Sequence, residues 1–283
     1  MRTSDIRVCI LRIEGTNCEE ESLQAFRRLG AQAEHVHLKQ LTGAAKVGNG
    51  ARSLEDYHVL FIPGGFSSGD YVRAGAIFAS RMKSDLDRDL TRFIDAGYPV
   101  GGVCNGFQVL VELGALPAFS GTMSERPEAV LMTNDSSRFE CRPTLVKVES
   151  KQGPWTKRFK KGEVFQVPVA HAEGKFAFPK EEEEALLQRL IDRDQVCLRY
   201  VDPEGGYAGY PYNPNGAIDN IAGITNEAGN VFGMMPHPER VFFRNRMSDW
   251  TRDEQLGAES VKDGYGPGKK VFEGVLEYVR RKF

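Results

Sequence analysis

The amino-acid sequence predicts an α/β fold, with a doubly wound, mostly parallel sheet of the flavodoxin-like type and an antiparallel β extension. Between residues 7 and 114, short apolar runs alternate with segments whose apolar residues recur at helical spacing. This alternation is typical of parallel strands connected by helices. The middle of the chain, 129–169, instead contains β-rich runs with no helical segment between them. Because antiparallel strands need no helical crossover, we expect antiparallel pairing there.

The predicted parallel part contains strands and helices in alternation. Its strands are the apolar runs Arg7–Ile13, Ala33–Leu38, Val59–Pro63 and Tyr98–Val103. The first helix begins with the acidic run 19–21 and ends in arginines at 27–28 before Gly30, which complements the helix dipole and supplies a left-handed cap. A second helix ends at Gly97, after apolar residues that repeat at helical spacing. A third helix covers Phe107–Leu113.

The later part of the chain is predicted to add strands and a terminal helix. The predicted strands are Thr144–Val148, Val164–Val169, Val196–Val201, Ile221–Thr225 and Val231–Met234. The last two are joined by Glu227–Asn230, whose composition is typical of a hairpin turn. The acidic run Glu181–Glu184 is predicted to begin a solvated helix, and Lys269–Arg281 to form the terminal helix.

Charge and hydropathy exclude several classes of protein. The 37 basic and 39 acidic residues nearly cancel, and no face of clustered Lys and Arg indicates a nucleic-acid partner. The N-terminal apolar run Val8–Ile13 is interrupted by Arg12 and is too short for a signal segment or a membrane span. We therefore predict a cytoplasmic protein with no membrane partner, folded as a single domain over residues 1–283.

The cysteines favour a reactive thiol over a structural framework. There are five, at Cys9, Cys18, Cys104, Cys141 and Cys197, and no pair has the Cys-x-x-Cys spacing. An odd, widely spaced set predicts neither a disulfide scaffold nor a zinc site, so we expect no metal in this chain. The sequence context decides which cysteine is reactive.

Cys104 has the context of a nucleophile. Gly102-Val103-Cys104-Asn105-Gly106 lies where a predicted strand ends and a helix begins, the pattern of a nucleophile elbow with sulfur in place of oxygen. Such a turn strains its central residue and needs Gly102 and Gly106 to avoid collisions. We expect the thiol to project into solvent, where the helix N-terminus favours its thiolate form. The alternative is a buried structural cysteine between two chance glycines.

A thiol that attacks an amide needs a group that accepts and returns a proton, and histidine does both. His237 follows a predicted strand and lies between two prolines, whose restricted backbone suits an aimed side chain. Glu239 is placed to accept the other ring N–H, although such a segment is also compatible with a surface loop. His171 remains a second candidate. The other histidines, in or beside early strands, are predicted to be structural: His35, His37 and His58.

The tetrahedral intermediate of amide hydrolysis needs two N–H donors. The backbone amide of Asn105 is one candidate, and the Gly64-Gly65 loop after the third strand is predicted to supply the other. This loop could alternatively be no more than a tight turn. Gln108, one turn into the helix, is predicted to face the pocket mouth and bind a polar substrate, or else to be a plain exposed helix residue.

Short motifs spread over most of the chain carry a family resemblance. They are Gly15–Cys18, Pro63–Ser67, Gly69–Tyr71, Arg73–Ala76, Cys104–Gln108, Phe139–Arg142, Tyr212–Gly216, Asn220–Ile224 and Pro236–Arg240. With these motifs the chain resembles the class I, triad-type glutamine amidotransferases, and among them the glutaminase subunits of phosphoribosylformylglycinamidine synthases. The resemblance assigns Cys104, His237 and Glu239 to the catalytic positions and places His171 near the glutamine pocket. The Asn-Pro-Asn-Gly run at 213–216 is its most discriminating motif.

The resemblance implies a division of labour within de novo purine biosynthesis. This chain, a single glutamine amidotransferase type 1 domain, would hydrolyse glutamine through a thioester on Cys104 and pass ammonia to a synthetase subunit. That partner would bind ATP and magnesium and convert formylglycinamide ribonucleotide to the amidine, and a small third subunit could join them. In agreement, the glycine-rich run Gly266–Lys270 lacks the first glycine and the final Ser/Thr of a P-loop, and no cofactor is expected in this chain.

The chain departs from the family pattern at several positions, namely Ile13, Glu14, Ser68, Ala172 and Lys175. Insertions are expected near Gly43–Ala51 and Ser248–Gly268, where they could shape a partner interface. Two alternatives stay open at this point. One is a cysteine peptidase or deglycase on a related fold, against which the late Pro-His-Pro-Glu segment argues. The other is a catalytically silent regulatory subunit, which the complete set of Cys104, His237 and Glu239 disfavours.

Overall fold

Within the parts of the chain that the computed structural model describes, residues 1–43, 50–255 and 264–283, a nine-stranded sheet and a two-stranded sheet are formed. The strands are β1 (Arg7–Arg12), β2 (Gln32–His37), β3 (Val59–Ile62), β4 (Val100–Val103), β5 (Val130–Thr133), β6 (Glu140–Val148), β7 (Val164–His171), β8 (Glu173–Ala177), β9 (Val196–Val201), β10 (Ile221–Thr225) and β11 (Val231–Met234). The large sheet has the order β2-β1-β3-β4-β11-β10-β9-β6-β7.

The large sheet has a parallel half and an antiparallel half. Strands β2, β1, β3, β4 and β11 are parallel neighbours, and each of β10, β9, β6 and β7 is antiparallel to the strand before it in the sheet. The predicted α/β fold, with a mostly parallel sheet and an antiparallel extension, is therefore confirmed. Because β4 and β11 are parallel, their carboxyl ends lie at the same edge of the sheet, which is where the candidate nucleophile and its histidine follow.

The small sheet pairs β5 with β8 in antiparallel fashion, and the sequence patterns did not predict it. Strand β5 has two exposed residues and one buried one, so it lacks the apolar alternation that indicates a strand. Strand β8 begins at Glu173 and contains Lys175. These polar residues likewise remove the apolar pattern from which a strand would be predicted. Along the chain, β8 follows the end of β7 after a single residue.

The helices are α1 (Glu19–Arg28), α2 (Leu38–Leu41), α3 (Ala76–Asp95), α4 (Asn105–Glu112), α5 (Glu183–Asp192), α6 (Trp250–Gln255) and α7 (Lys269–Lys282). Helix α1 has the predicted acidic first turn and basic last turn, and Gly30 follows it with φ 92°. Helix α3 has 20 residues, although the sequence pattern indicated only its second half. No helix of the described ranges is long and apolar enough to span a membrane.

The two predicted insertions fall partly outside the described residues. Of the segment 43–51, residues 44–49 are not described, and of 248–268, residues 256–263 are not described. The described part of the second segment contains α6 and the residues that immediately precede α7. Whether either insertion contacts a partner stays a prediction.

The centre of the core is built around Trp155, which has no exposed surface. Its ring stacks on Phe232 of β11 with 5.3 Å between centroids and lies 6.1 Å from the ring of Phe61 on β3. A side chain at Gly101 of β4 would overlap the indole ring, so the glycine lets this large residue pack against the sheet. The indole N–H donates to the carbonyl of Asn230, which satisfies its polar atom.

We expect Trp155→Ala to lower the free energy of unfolding by about 3–5 kcal/mol, because it removes a buried aromatic ring and leaves a cavity. Chemical denaturation followed by circular dichroism measures the change. Trp250→Ala is the matched control, since the chain has two tryptophans and Trp250 is 36% exposed. Trp250→Ala is expected to change the free energy of unfolding by less than about 0.5 kcal/mol. Equal losses in the two variants would contradict this view of the core.

Candidate active site

Cys104 lies on a strained turn between β4 and α4. Its backbone angles are φ 53° and ψ −109°, a conformation that side-chain-bearing residues rarely adopt. The amide of Cys104 donates to the carbonyl of Met234 at 2.8 Å, which fastens the turn to the end of β11. The predicted nucleophile elbow is therefore present in the fold.

Two glycines make this turn possible, as predicted. A side chain at Gly102 would overlap the backbone of Gly106, and a side chain at Gly106 would overlap the carbonyl of Ile62 at the end of β3. The first helical turn after Cys104 thus lies directly against two neighbouring strands. Any larger residue at 102 or 106 would move the sulfur away from the sheet edge.

The expectation that the thiol projects into solvent is wrong, because Cys104 is only 5% exposed. The end of β7 lies over it, with the carbonyl oxygen of Ala170 at 3.6 Å from the sulfur. The elbow pushes the side chain away from its own strand, but a segment 66 residues later in the chain covers it. Local sequence around Cys104 contains no sign of that cover.

His237 and Glu239 lie where the sequence predicted a proton carrier and its carboxylate. His237 follows β11, and its amide donates to the carbonyl of Pro168 on β7 at 2.8 Å. Its Nδ1 is 2.5 Å from Oε1 of Glu239, and both side chains are almost completely buried. Because a carboxylate can only accept, Nδ1 carries the proton, and Nε2 is the nitrogen left for proton transfer.

The charge state of His237 follows from its neighbours. Burial by itself lowers the pKa of an imidazole, but the negative charges of Glu239 and of the Cys104 sulfur outweigh burial and hold the pKa of His237 well above its usual value. The nearby sulfurs of Cys104 and Cys18 act on the pKa of the ring in the same direction. The imidazolium is thus favoured beside the nucleophile, which is the form that donates a proton to a leaving group.

Two backbone amides near Cys104 donate no hydrogen bond within the described ranges. One is Asn105, the first residue of α4, and the other is Gly65. Gly65 pairs with Thr16 in a bridge whose bonds are made by Gly64 and Phe66, which leaves its own N–H unpaired. Gly65 has φ 153° and lies so close to 15–17 that a side chain would collide there. Both predicted oxyanion donors are thus free to bind a ligand oxygen.

A cavity of about 40 Å³ lies in front of the sulfur. Its lining residues are Gly65, Phe66, Asp70, Ala74, Cys104, Gln108, Ala170, His171, Ala172 and Glu173. The volume is about the room of a single water molecule. A molecule the size of an amino acid therefore enters only when the walls move apart.

Gln108 lines the cavity and is bonded on both sides. Gln108 is 4% exposed, and its Nε2 donates to the carbonyl of Glu173. Its Oε1 accepts from Nδ2 of Asn105 at 3.0 Å. The alternative of an exposed helix residue is therefore wrong, because Gln108 is buried against the first residue of β8. Its expected position facing the pocket mouth stays a prediction. Whether Gln108 contacts a substrate stays a prediction.

His171, the last residue of β7, lines the same cavity. Oδ1 of Asn134 lies 3.2 Å from its Nδ1 and also accepts from the amide of Gly174, so Nδ1 carries the proton. Burial, helped by the positive charge of His237, lowers the pKa of His171 to about 3. It is therefore a neutral imidazole at pH 7, and its buried Nε2 has no hydrogen-bond partner in the described residues. The remaining histidines bond to backbone groups, as predicted: His35, His37 and His58.

The structure adds two carboxylates that sequence reasoning did not single out. Asp70 and Glu173 both line the cavity, and Oε2 of Glu173 accepts from the amide of Ala74 at 3.0 Å. Burial, with the charge of Glu173 adding to it, raises the pKa of Asp70 to about 6. Asp70 belongs to the motif Gly69–Tyr71 and Glu173 follows the departure at Ala172, but nothing in the sequence pattern brings 70 and 173 together.

A buried thiol, an imidazole held by a carboxylate, two unpaired amides and a small cavity in front of the thiol are the parts of a cysteine-dependent amide hydrolase. The model of the CobB/CobQ-like glutamine amidotransferase domain matches residues 5–279, and the chain belongs to this family.

Several known proteins are similar to this chain over nearly its whole length. The phosphoribosylformylglycinamidine synthase subunit PurQ of Archaeoglobus fulgidus is 52% identical over 283 residues, covering 99% of this chain and all of the relative. The protein of the same name from Picrophilus torridus is 46% identical over 258 residues, covering 90% and 95%. A chain in the structure of PurLQS from Thermotoga maritima superposes with a TM-score of 0.67 at 31% identity, covering 97% and 99%.

We expect Glu239→Gln to lower the pKa of His237, because the variant removes the negative charge that opposes the effect of burial. The ring ¹⁵N chemical shifts of His237, followed by NMR across a pH series, measure this change. Glutamine hydrolysis should fall by about 10²-fold or more. Glu227→Gln, on an exposed turn, is the control and should leave both unchanged. An unaltered His237 titration in Glu239→Gln would exclude the carboxylate from the site.

Proposed function

We propose that this chain is the glutaminase subunit of a phosphoribosylformylglycinamidine synthase, acting in de novo purine biosynthesis. The observation that carries the proposal is the buried group of Cys104, His237 and Glu239, found in a chain 52% identical to a relative of that name. The similarity extends over all but a few residues of both chains, so it concerns the whole protein and not a shared module.

In the first half-reaction the Cys104 sulfur attacks the side-chain amide carbon of glutamine. The amides of Asn105 and Gly65 donate to the oxyanion, and His237 gives its proton to the departing nitrogen. Ammonia leaves and a γ-glutamyl thioester remains on Cys104. Water then attacks the thioester carbon and gives a proton to His237, which releases glutamate and restores the sulfur and the imidazolium.

The cavity has the charge expected for an amino-acid substrate. Glutamine carries an α-ammonium group, and Asp70 and Glu173 supply two negative charges on the cavity wall. Half-buried Asp70 is bonded by the Asn105 amide and by backbone but has no cationic side chain as a partner in the described residues. Gln108 and neutral His171 are the polar groups proposed to orient the side-chain amide. The pocket must widen to accept the substrate, since its volume is about 40 Å³.

The ammonia is proposed to pass to a separate synthetase subunit, which converts formylglycinamide ribonucleotide to the amidine. The similarity to a chain of the Thermotoga maritima PurLQS structure supports a heteromeric complex. ATP and magnesium are assigned to the synthetase, since Gly266–Lys270 departs from a P-loop at both ends. A small third subunit, a cytoplasmic location and a single-domain organisation over 1–283 complete the proposal.

We expect Cys104→Ala to abolish glutamine-dependent amidine synthesis by the complex, while synthesis from added ammonium salts continues. The sulfur is needed to release ammonia but not to use it. Assays of the reconstituted complex with each nitrogen source measure the two rates, and Cys141→Ala, which changes an exposed cysteine, is the control. Loss of both activities to the same extent would refute ammonia transfer.

We expect Asp70→Asn to raise KM for glutamine about tenfold or more, because a hydrogen bond between two charged groups is lost. Synthesis from ammonium salts should be unaffected. The control is Asp135→Asn, which removes an exposed carboxylate paired with Lys175. If Asp70→Asn changed kcat alone and left KM for glutamine at its original value, Asp70 would not bind the substrate ammonium.

A further inference from the structure

Cys18 is a second buried thiol next to the candidate nucleophile, and the proposed reaction does not use it. It lies at the N-terminus of α1 and is 2% exposed. A methyl group added at Gly64 would lie 2.8 Å from Cε1 of His237, 3.2 Å from Cβ of Cys104 and 3.4 Å from Sγ of Cys18. These three side chains therefore converge on one face of Gly64.

Cys18, His237 and Glu239 form a compact set of metal ligands. One ligand atom of each, a sulfur, a ring nitrogen and a carboxylate oxygen, lies within 4.8 Å of the other two. Zinc accepts all three types, with bonds of about 2.0–2.3 Å in a tetrahedral arrangement, so its ligand atoms lie roughly 3.3–3.6 Å apart. Ligand atoms at the upper limit of the present spacing would therefore have to approach one another by about 1 Å.

Two of these side chains retain unused bonding capacity. Oε2 of Glu239 and Nε2 of His237 are buried and have no hydrogen-bond partner in the described residues. Buried polar atoms of this kind are uncommon in folded proteins, since each loses its hydration without replacement. Both residues are about 1% exposed, so these atoms face the protein interior beside Cys18 and not bulk solvent.

We infer that Cys18, His237 and Glu239 bind a thiophilic divalent cation of the zinc type, and that the bound ion inhibits glutamine hydrolysis. Binding to Nε2 releases the proton that the imidazolium carries there, together with the thiol proton of Cys18, to solvent. The nitrogen that transfers the proton in catalysis is then occupied by the ion. An ion on Nδ1 displaces the bond to Glu239 that orients the ring. On either nitrogen the imidazole is lost to catalysis. The binding is independent of the proposed function, whereas the inhibition rests on it.

The charges around the cluster are of both signs. Nη2 of Arg240 donates to Sγ of Cys18 at 3.3 Å, so this sulfur already acts as an acceptor toward a cation. The positive charge of Arg240 is balanced, because Glu239 and Glu21 lie close enough to act on the guanidinium. A soft sulfur ligand favours zinc over magnesium or calcium, which prefer oxygen.

Cobalt binding to the full, chelator-treated chain tests the site directly. We expect about one equivalent of Co²⁺ to bind with a thiolate-to-cobalt charge-transfer band, and Zn²⁺ to displace it. Cys18→Ala should weaken binding by tenfold or more and abolish the band, as should Cys18→Ser if the alanine variant does not fold. Cys104→Ala and Cys141→Ala should keep both. Glutaminase assays of the complex should then show zinc inhibition that is at least tenfold weaker in Cys18→Ala.

A cobalt band retained in folded Cys18→Ala, or lost in Cys104→Ala instead, would overturn the assignment, because the ion would then sit on the nucleophile. Wild-type chain without any band would overturn it as well. If cobalt binds as expected but zinc leaves glutamine hydrolysis unchanged, the inhibitory role is refuted while the site stands. Failure of the proposed function has a different signature, namely no glutaminase activity in metal-free complex.

Discussion

The backward-bent turn at Cys104 is the constraint on which the active site depends. A residue with a side chain is held at φ 53° because the turn is fastened on several sides: the strand before it, the helix after it, the bond to Met234 and the close approach of Gly106 to Ile62. Strain of this kind persists only where surrounding structure leaves no alternative. Gly102 and Gly106 are thus required because neighbouring backbone atoms leave no room for a side chain. The position of the Cys104 sulfur is therefore fixed by the sheet.

The remaining groups meet the sulfur because of sheet topology. Strand β11 is inserted beside β4 in parallel register, so His237, more than 130 residues away in the chain, emerges at the same edge. The bond from its amide to Pro168 ties the histidine loop to β7, and β7 supplies the cover over Cys104. Burial would favour neutral imidazole, but the adjoining negative charges prevail. The imidazolium of His237 and the carboxylate of Glu239 can therefore remain charged although both are buried.

Much of this arrangement was predictable from sequence, and the failures have physical causes. Strands β3, β4 and β11 are short apolar runs, β1 has an apolar centre between two arginines, and Gly102 and Gly106 mark the elbow, so the local sequence pattern was enough to predict these elements. The burial of Cys104, the pairing of β5 with β8 and the meeting of Asp70 with Glu173 result from long-range packing. Polar residues at such contacts leave no periodic signal. Cys18 belongs to a quoted motif, but its contact with the imidazole needs coordinates.

The small size of the cavity bears on how the cell spends its nitrogen. Glutamine is a shared donor, and a subunit with a permanently open pocket would drain it whenever no acceptor was at hand. Here the small space in front of the sulfur is bordered by residues from separate segments, among them Phe66, Ala172 and Glu173. Any binding partner that shifts these segments would change the room in front of the sulfur, and nitrogen release could then follow demand.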